Sequence, residues 1–351
     1  MKNSFVEMPD GYRETISEGT KAIGFLDRRL VRGRGSREEN LPRLRDAMDE
    51  ADAVIVGAGA GLSTSAGFTY GGERFMRYFS DLHREFGITD MYSGGFYPYP
   101  DPESRWAFWS RNIYFNRYVG GSKPVYEELA SLLEGRDYFV VTTNVDHQFQ
   151  RAGIDSKRLF CTQGDYGLFQ SADGRDRRTF GNEDLVMRMM ESQGFVRDGE
   201  GVFEIPSSGV RSRVPTELVP RHPDTGEELK MNLRCDDTFA EDDEWRMASA
   251  RYSDFLMRHE GSKTLYLEMG VGSNTPVIIK LPFWYRTWRS PNATYACLNY
   301  GETYCPKEIA DRSICIDGDL ADTVHELVML DGSKGTDRNP DTERCSHPES
   351  S

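Results

Sequence analysis

The sequence predicts an α/β fold: a doubly wound parallel sheet with an inserted helical lobe and a small second module. Short apolar runs rich in β-branched residues, such as Val54-Ile55-Val56, are typical of strands buried on both faces of a parallel sheet. Amphipathic helical segments separate these runs, which is the alternation that builds α/β domains. Residues 68–121 carry no strand signal, so we expect a lobe inserted between the first strand and the next.

Length and charge narrow the class of protein. The chain has 351 residues, more than one compact core usually uses, and this predicts one large domain with a subdomain, or two domains. The formal net charge of −14 argues against nucleic acid or an anionic membrane as a partner, because the field of the protein repels phosphate.

The sequence also indicates the compartment. No apolar run approaches the roughly 20 residues of a membrane span, and the N-terminus lacks the apolar core of a signal peptide. The six cysteines are scattered without a C-x-x-C pair, which favours free thiols in a reducing environment. We therefore expect a cytoplasmic protein that is not attached to a membrane.

The first elements follow from composition and capping. Residues 1–39 are polar and end in a basic run, which predicts a solvated N-terminal arm. Asn40 is expected to cap a helix that carries Pro42 in its first turn and runs to about Ala51. Aromatic residues at helical spacing in 68–121 predict a helical lobe, either with its own core or with an aromatic platform for a substrate.

A turn of small residues follows the first strand. Gly57, Gly59 and Gly61 alternate with alanines, and Ser63 stands where a helix would begin. Glycine lets a ligand approach the backbone closely, and the free N–H groups of a helix N-terminus bind anions. The stretch therefore predicts a phosphate-binding turn between a strand and a helix. A tight turn without a ligand is the alternative.

Polar residues follow the next strand along the chain. Asn144 and Asp146 come just after the run that ends at Thr142. Open α/β sheets place ligand contacts just past the carboxyl ends of their strands, so both residues are site candidates. Their alternative role is to cap the next helix. The remaining predicted elements are helices at 124–133, 241–259 and 319–330, and strands at 138–142, 159–161, 263–269, 292–299 and 313–316.

The predicted domain organisation has one split domain. Residues 170–230 are rich in Gly, Pro and charge with little periodicity, so we expect an inserted surface module or a long excursion that is the most mobile part of the chain. The inserted module as a whole is predicted over 170–239. The tail from 332 to 351 is polar and is expected to be disordered. The two segments 40–169 and 240–331 then form the nucleotide-binding domain of Rossmann-like type.

A dehydrogenase does not fit this order of elements. Its fingerprint requires G-x-G-x-x-G, followed about 20 residues later by a ribose-binding acid at the end of a second strand. Here the residue three positions after Gly61, which should complete the motif, is not glycine. The helical lobe also stands between the first strand and the next. This order argues against hydride transfer.

The sequence instead resembles the sirtuin family over roughly residues 40–330. Four motifs carry the resemblance: Gly59-Ala60-Gly61-Leu62-Ser63 with Gly67, Thr142-Thr143-Asn144-Val145-Asp146, Gly272-Ser273-Asn274, and Leu298-Asn299 with Gly318-Asp319. The resemblance implies that NAD is bound by Gly59, Ala60, Gly61, Ser63, Arg74, Val145, Asp146, Gly270, Gly272, Ser273, Asn299 and Asp319. Arg74 is assigned in place of an arginine from a family stretch that this chain lacks.

Two departures from the sirtuin pattern matter for chemistry. Gln163 stands before Gly164 where the family has its catalytic histidine. A neutral amide cannot take a proton from a ribose hydroxyl, so deacylation should be badly impaired. The four-cysteine zinc site of the family is also missing. Ser171 stands where the first Cys is expected and His222 alone could bind metal, so we predict a module without zinc and a chance surface histidine.

Gln163 and the stretch 231–237 resemble the macrodomain-linked sirtuin subclass, class M. That resemblance implies protein ADP-ribosylation with Asn144 and Gln163 as the catalytic pair. It also implies a lipoylated carrier of the glycine-cleavage H type as acceptor, and a macrodomain hydrolase as functional partner. The alternatives are an NAD-dependent lysine deacylase and a non-catalytic NAD or ADP-ribose sensor. Arg234 is predicted either to meet the acceptor or to form a salt bridge with Asp236 or Asp237.

Overall fold

The computed structural model describes residues 9–26, 28–272 and 276–334, with side chains through residue 330. The α-helices are α1 (Gly11–Ala22), α2 (Arg37–Glu50), α3 (Ala60–Ser65), α4 (Gly72–Phe86), α5 (Met91–Gly95), α6 (Pro102–Ile113), α7 (Val125–Leu133), α8 (Gln148–Arg151), α9 (Glu183–Gln193), α10 (Asp243–Arg258), α11 (Lys280–Arg289) and α12 (Leu320–Lys334). The strands are β1 (Leu30–Arg32), β2 (Ala53–Ala58), β3 (Tyr138–Thr142), β4 (Leu159–Cys161), β5 (Gly164–Ser171), β6 (Thr179–Gly181), β7 (Val196–Arg197), β8 (Phe203–Glu204), β9 (Leu229–Leu233), β10 (Thr264–Met269), β11 (Thr294–Asn299), β12 (Tyr304–Pro306) and β13 (Ser313–Asp317).

A six-stranded parallel sheet lies at the centre of the described residues. Its strand order is β13-β11-β10-β2-β3-β4. Every residue of β2 is buried, because β2 lies inside the sheet with helices on both faces. The chain order reverses on the two sides of β2, and ligands of doubly wound sheets bind at such a reversal. The predicted α/β fold class is confirmed.

Helices cover both faces of this sheet. On one face α2, α7 and α12 bury side chains such as Leu44, Leu129 and Val324 against the strands. On the other face α10 and α11 bury Tyr252 and Phe283. Because both faces are covered, the strands are mostly apolar, which is the pattern that made them predictable.

The helical lobe consists of α4, α5 and α6, followed by a π-helical turn over Tyr114–Tyr118. Phe75 and Phe79 of α4 form a small core with Phe108 of α6. The opposite side of α6 packs on α9 of the inserted module. This module has its own antiparallel sheet, β6-β5-β9, and a buried core that includes Met189 and Met190. The stretch expected to be a mobile excursion is therefore folded, while the predicted domain boundaries stay predictions.

The prediction of a solvated N-terminal arm is wrong for the described part of 1–39. Helix α1 packs on α10 and α11, and Gly11 and Gly19 are buried there. A Cβ at Gly11 would lie 2.4 Å from the carbonyl oxygen of Ser249, and one at Gly19 would lie 2.4 Å from that of Val277. The helix buries itself through small residues, so its sequence lacks a strong apolar stripe.

The predicted cap of α2 is also corrected. Ser36 is the N-cap and forms a capping box with Glu39, whereas Asn40 lies inside the helix and is buried. The Asn40 amide donates to the carbonyl of Arg34 at 2.8 Å and to that of Cys315 at 3.0 Å. Asn40 thus ties the loop before α2 to β13.

The C-terminal prediction lies partly outside the described residues. Helix α12 runs to Lys334, so 332–334 are helical, and 335–351 lie outside the described residues. None of the described helices combines the length and the apolar character that crossing a membrane requires.

Candidate functional site

Most of the predicted site residues that the structure describes lie at the carboxyl edge of the central sheet. Thr142 of β3 pairs with Cys161 of β4, so Asn144 and Gln163 each lie two residues beyond the same rung of the sheet. The turn after β2 lies between this pair of residues on one side and the turn after β10 on the other, because β2 pairs with both β3 and β10. Both halves of a dinucleotide site are therefore available at this edge.

The turn after β2 packs directly on the turn after β10. Gly61 N donates to Gly270 O at 2.9 Å, and Gly59 N donates to Met269 O at 3.0 Å. A Cβ on Gly61 would lie 2.7 Å from Gly270 Cα, and one on Gly59 would lie 2.7 Å from Gly270 O. The glycines thus allow two backbones to meet, in addition to any approach of a ligand. Ala60, the first residue of α3, is exposed at this junction.

Four buried polar side chains form a network beside this turn. Ser63 Oγ donates to Asp146 Oδ2 at 2.5 Å and lies 2.8 Å from the hydroxyl of Tyr126. The Asn144 amide donates to Gly59 O at 3.0 Å and to the Tyr126 hydroxyl at 3.3 Å. The network fixes Asn144 and Asp146 against the first turn. Neither residue is the N-cap of α8, which is His147.

The electrostatics of Asp146 fit a site that meets a polar ligand. Burial raises the pKa of this carboxyl, although the Ser63 hydroxyl and the Gln148 backbone amide favour its charged form. Val145, the neighbour of Asp146, accepts a backbone hydrogen bond from Tyr166 N at 2.9 Å. A carboxamide placed here could donate to Asp146, one of the residues that the sirtuin resemblance implies for NAD binding.

Tyr126 is the residue of this network that sequence reasoning missed. It lies on α7 beside Val125 and near Leu129, and a tyrosine among apolar neighbours resembles an ordinary core residue. Its hydroxyl is nonetheless the shared partner of Ser63 and Asn144. A signal was available, since a buried tyrosine needs a partner for its hydroxyl.

Gln163 is half-buried and its backbone is held on two sides. Its carbonyl accepts from Arg234 N at 3.0 Å, and the preceding Thr162 N donates to Thr142 O at 2.9 Å. The side-chain amide has one weak contact among the described residues, a 3.3 Å bond from Nε2 to Thr162 Oγ1. The backbone is therefore fixed while the amide can still turn toward a ligand.

Arg234 is engaged inside the protein. Its guanidinium pairs with Glu241 at 2.8 Å, so the predicted salt bridge to Asp236 or Asp237 is wrong. The same group lies over the rings of Phe239, Tyr12 and Trp245, at 4.2, 4.4 and 4.9 Å from their centroids. Arg234 thus supports the segment that carries Gln163.

Arg74 also has internal partners. Its guanidinium donates to Phe115 O at 2.5 Å and to Asn116 Oδ1 at 2.9 Å, so it ties α4 to the π-helical turn after α6. Burial lowers the pKa of this arginine, partly offset by neighbouring tyrosines. Arg74 also lines a cavity of about 360 Å³ together with Gly67 and Phe68. An NAD contact by Arg74 stays a prediction.

The residues predicted on the adenosine side lie at the ends of β10, β11 and β13. Asn299 donates to Val271 O at 3.1 Å, and Asp319 accepts from Ser65 at 2.9 Å and from Lys123 at 3.2 Å. Gly272 is exposed, and Ser273 lies outside the described residues. Asp319 also accepts from backbone amides at the start of α12, so it has a structural role as well.

His222 is buried, so the prediction of a chance surface histidine is wrong. Its Nε2 lies 3.0 Å from Asp176, its Nδ1 accepts from the backbone amides of Asp224 and Thr225, and its ring packs on Phe180. These contacts give His222 a structural role in the inserted module. The absence of a zinc site stays a prediction.

Known sequences resemble this chain over most of its length. No family model matches it. A protein ADP-ribosyltransferase of Staphylococcus aureus is 34% identical over 304 residues, which are 86% of this chain and 90% of that protein. A probable bifunctional ADP-ribose hydrolase/ADP-ribosyltransferase of Fusarium oxysporum f. sp. cubense is 28% identical over 311 residues and 83% of this chain. The match spans 49%, about half, of that fungal protein.

Solved structures share the fold. A mutant of Sir2 homologues in complex with 2′-O-acetyl ADP ribose matches 83% of this chain and 96% of its own, with a TM-score of 0.52 and 16% identity. Sir2 bound to an acetylated peptide matches 83% of this chain and 98% of its own, with a TM-score of 0.51 and 18% identity. At these identities the likeness establishes the fold and no more.

Proposed function

This chain belongs to the protein ADP-ribosyltransferases of sirtuin type, and we propose that its acceptor is a lipoylated carrier protein of the glycine-cleavage H type. It is an enzyme that uses NAD as the source of ADP-ribose. The proposal adds three things to this family membership: the acceptor, a macrodomain hydrolase as functional partner, and the roles of individual residues. It keeps the cytoplasmic location that the sequence predicts, which the free thiols of the five described cysteines support.

The observation that carries the proposal is Gln163 at the carboxyl edge beside Asn144. A sirtuin deacylase needs a base at this position to activate a ribose hydroxyl. The amide of Gln163 can donate and accept hydrogen bonds but cannot take up a proton at neutral pH. Transfer of ADP-ribose does not require that base, because the departing group is nicotinamide.

The residues at the edge can divide the work of the transfer. NAD supplies the ADP-ribosyl group: the bond from C1′ to the nicotinamide nitrogen breaks, a bond to the acceptor atom forms, and the acceptor releases a proton. Asp146 is suited to accept from a carboxamide, and Asn144 to orient the ribose and the incoming nucleophile. Gln163 would hold ribose hydroxyls without deprotonating them, and the turns at Gly59–Gly61 and Gly270 would hold the phosphates and adenosine.

A cleft beside the edge supports an acceptor that carries an apolar arm. It has a volume of about 180 Å³ between α6 and β9. Apolar side chains that include Trp106, Trp109 and Leu233 line it, together with the charged side chains of Arg105, Lys230 and Asp236. Leu233 adjoins Arg234, whose amide bonds to the Gln163 carbonyl. An extended apolar group such as a lipoyl arm would gain free energy from burial there, at ~25 cal/mol for each Å² removed from water.

The test is incubation with labelled NAD and the carrier in lipoylated and unlipoylated forms. We expect label on the lipoylated carrier and a matching release of nicotinamide, with much less label on the unlipoylated control. Equal labelling of both forms would reject the lipoyl requirement. Steady turnover of an acyl-lysine peptide would favour the deacylase, and NAD binding without nicotinamide release would favour the sensor.

A further inference from the structure

His147 has an unusual backbone directly after the site residues. Its φ is 64°, which makes it the one non-glycine residue with positive φ in the described part of the chain. Residues other than glycine uncommonly adopt this left-handed conformation, although His, Asn and Asp do so more often than the rest, and side-chain contacts stabilise it at His147. His147 follows Asp146 and lies three residues after Asn144.

The contact that holds His147 comes from the segment that carries Gln163. Nδ1 of His147 lies 2.8 Å from Oδ2 of Asp165. Nη2 of Arg117 lies 3.3 Å from the same ring nitrogen, so Nδ1 contacts both Asp165 and Arg117. Asp165 lies two residues after Gln163. The pair thus links the loop after β3 to the start of β5 through side chains.

Arg117 of the helical lobe completes this link. Its Nε donates to Asp165 Oδ1 at 2.6 Å, and the amide of Gly167 donates to the same oxygen at 2.6 Å. A Cβ at Gly167 would lie 2.1 Å from Arg117 Nε, so the guanidinium occupies the space that a larger residue would need. Burial opposes the charge of Asp165, but His147 and Arg117 outweigh it and lower the pKa.

This link adds to a weaker backbone connection between the two loops. Tyr166 N donates to Val145 O at 2.9 Å, which joins the loop after β3 to β5. The side chains of His147 and Asp165 are only 30% and 15% exposed, so the pair is mostly buried beside the carboxyl edge of the sheet. A buried, hydrogen-bonded pair that supports the residues of a site can fix their geometry.

We propose that His147 and Asp165 form a positioning pair that sets the separation of Asn144 and Gln163. This rests on the proposed roles of those two residues in ADP-ribose transfer. Neither His147 nor Asp165 is assigned a contact with substrate. The pair acts through the two loops, whose misplacement by about 1 Å is enough to lower turnover by ~100-fold.

The test compares His147→Gly with His147→Asn. Glycine accepts the left-handed backbone but removes the link, whereas asparagine tolerates the same backbone and can donate to Asp165. We expect kcat for transfer to fall ~10- to 100-fold in His147→Gly, with KM for NAD within ~3-fold, and to recover to within ~3-fold of wild type in His147→Asn. His259→Asn is the matched control, because it alters a His–Asp pair with Asp137 elsewhere on the chain.

Hydrogen exchange of 143–147 and 162–166 gives a second readout that needs no acceptor. We expect exchange to quicken ~10-fold in His147→Gly and to stay near wild type in His147→Asn. Unchanged kcat in the glycine variant, or equal losses in both variants, would overturn the positioning role. If wild type releases nicotinamide but labels no carrier, the proposed acceptor is wrong, and the rate of nicotinamide release in each variant then tests the positioning role of His147 and Asp165. If wild type neither releases nicotinamide nor labels the carrier, the hydrogen-exchange rates alone test that role.

Discussion

The hydroxyl of Ser63 donates to Oδ2 of Asp146 at 2.5 Å, and this bond joins the turn after β2 to the loop after β3. Burial raises the pKa of Asp146 in the folded protein. A raised pKa means that the native state binds the proton more readily than the unfolded chain does. The contribution of Asp146 to stability is then greatest below its unfolded pKa and is lost as pH rises through its folded pKa.

The first prediction concerns Asp146→Asn. The free energy of unfolding of wild type, minus that of the variant, should fall as pH rises from about 3 to about 7. Chemical denaturation across that range measures the difference. The variant should also transfer ADP-ribose at least ~10-fold more slowly, because it loses the carboxylate acceptor. An advantage of wild type that grows with pH would contradict the assignment.

Asn144→Ala should abolish transfer while the fold stays intact. The variant loses the bond to Gly59 O, at a cost of ~1 kcal/mol in free energy of unfolding, and we expect turnover to fall ~100-fold or more. Asn292→Ala is the matched control, because the Asn292 amide also donates to a backbone carbonyl, that of Gly261. Asn292 precedes β11 and so lies at the edge of the sheet opposite to the site. Unchanged transfer in Asn144→Ala would refute its catalytic role.

Gln163→His should restore some deacylation. An imidazole at this place can accept a proton near neutral pH, which the amide cannot do. Release of acyl-ADP-ribose from an acyl-lysine peptide measures the gain, with wild type as the reference. A variant that folds and binds NAD but shows no turnover of the peptide would mean that Gln163 does not explain the loss of deacylation.

Gly61→Ala should damage both the fold and NAD binding. The new Cβ would lie 2.7 Å from Gly270 Cα, and backbone cannot move aside as a flexible side chain can. We expect a loss of ~1–3 kcal/mol in free energy of unfolding and weaker NAD binding by calorimetry. Gly181→Ala is the control, since a Cβ there meets nothing within 4 Å. Equal stability of the two variants would rule out the steric argument.

Lys280→Met tests the buried ion pair between α11 and β10. Lys280 pairs with Glu268, a fully buried residue that also accepts from the Tyr295 hydroxyl at 2.5 Å. Leaving that carboxylate without its cation should cost ~3–5 kcal/mol, measured by denaturant unfolding. Arg258→Met, which breaks the exposed pair with Asp254, should change stability by less than ~1 kcal/mol. Similar losses in both variants would contradict the difference in burial.

The sequence was most informative where burial is complete. Strands β2 and β3 are mostly apolar because both faces are covered, and their polar continuations at Asn144 and Asp146 could be placed at the edge. Helix α1 was missed because it packs through Gly11 and Gly19, which leave no apolar period. The capping box at Ser36 was present in the sequence and was overlooked.

The polar contacts of the site could not be predicted in the same way. Tyr126 of α7 and Ser63 of α3 lie 63 residues apart, and no spacing along the chain encodes their contact. His147 and Asp165 lie 18 residues apart and meet through the pairing of β3 with β4. The module over 170–239 buries methionines from α9 against the lobe, a long-range contact that local composition does not reveal.

The contact between Gly61 and Gly270 bears on how this enzyme could be inhibited. At that contact the touching atoms are main chain, and the identity of a main-chain atom does not change with the codon. A compound that binds against these atoms would leave a cell few escape mutations, since the substitutions that would displace it also distort the protein. Resistance would have to arise at more distant side chains or through expression level.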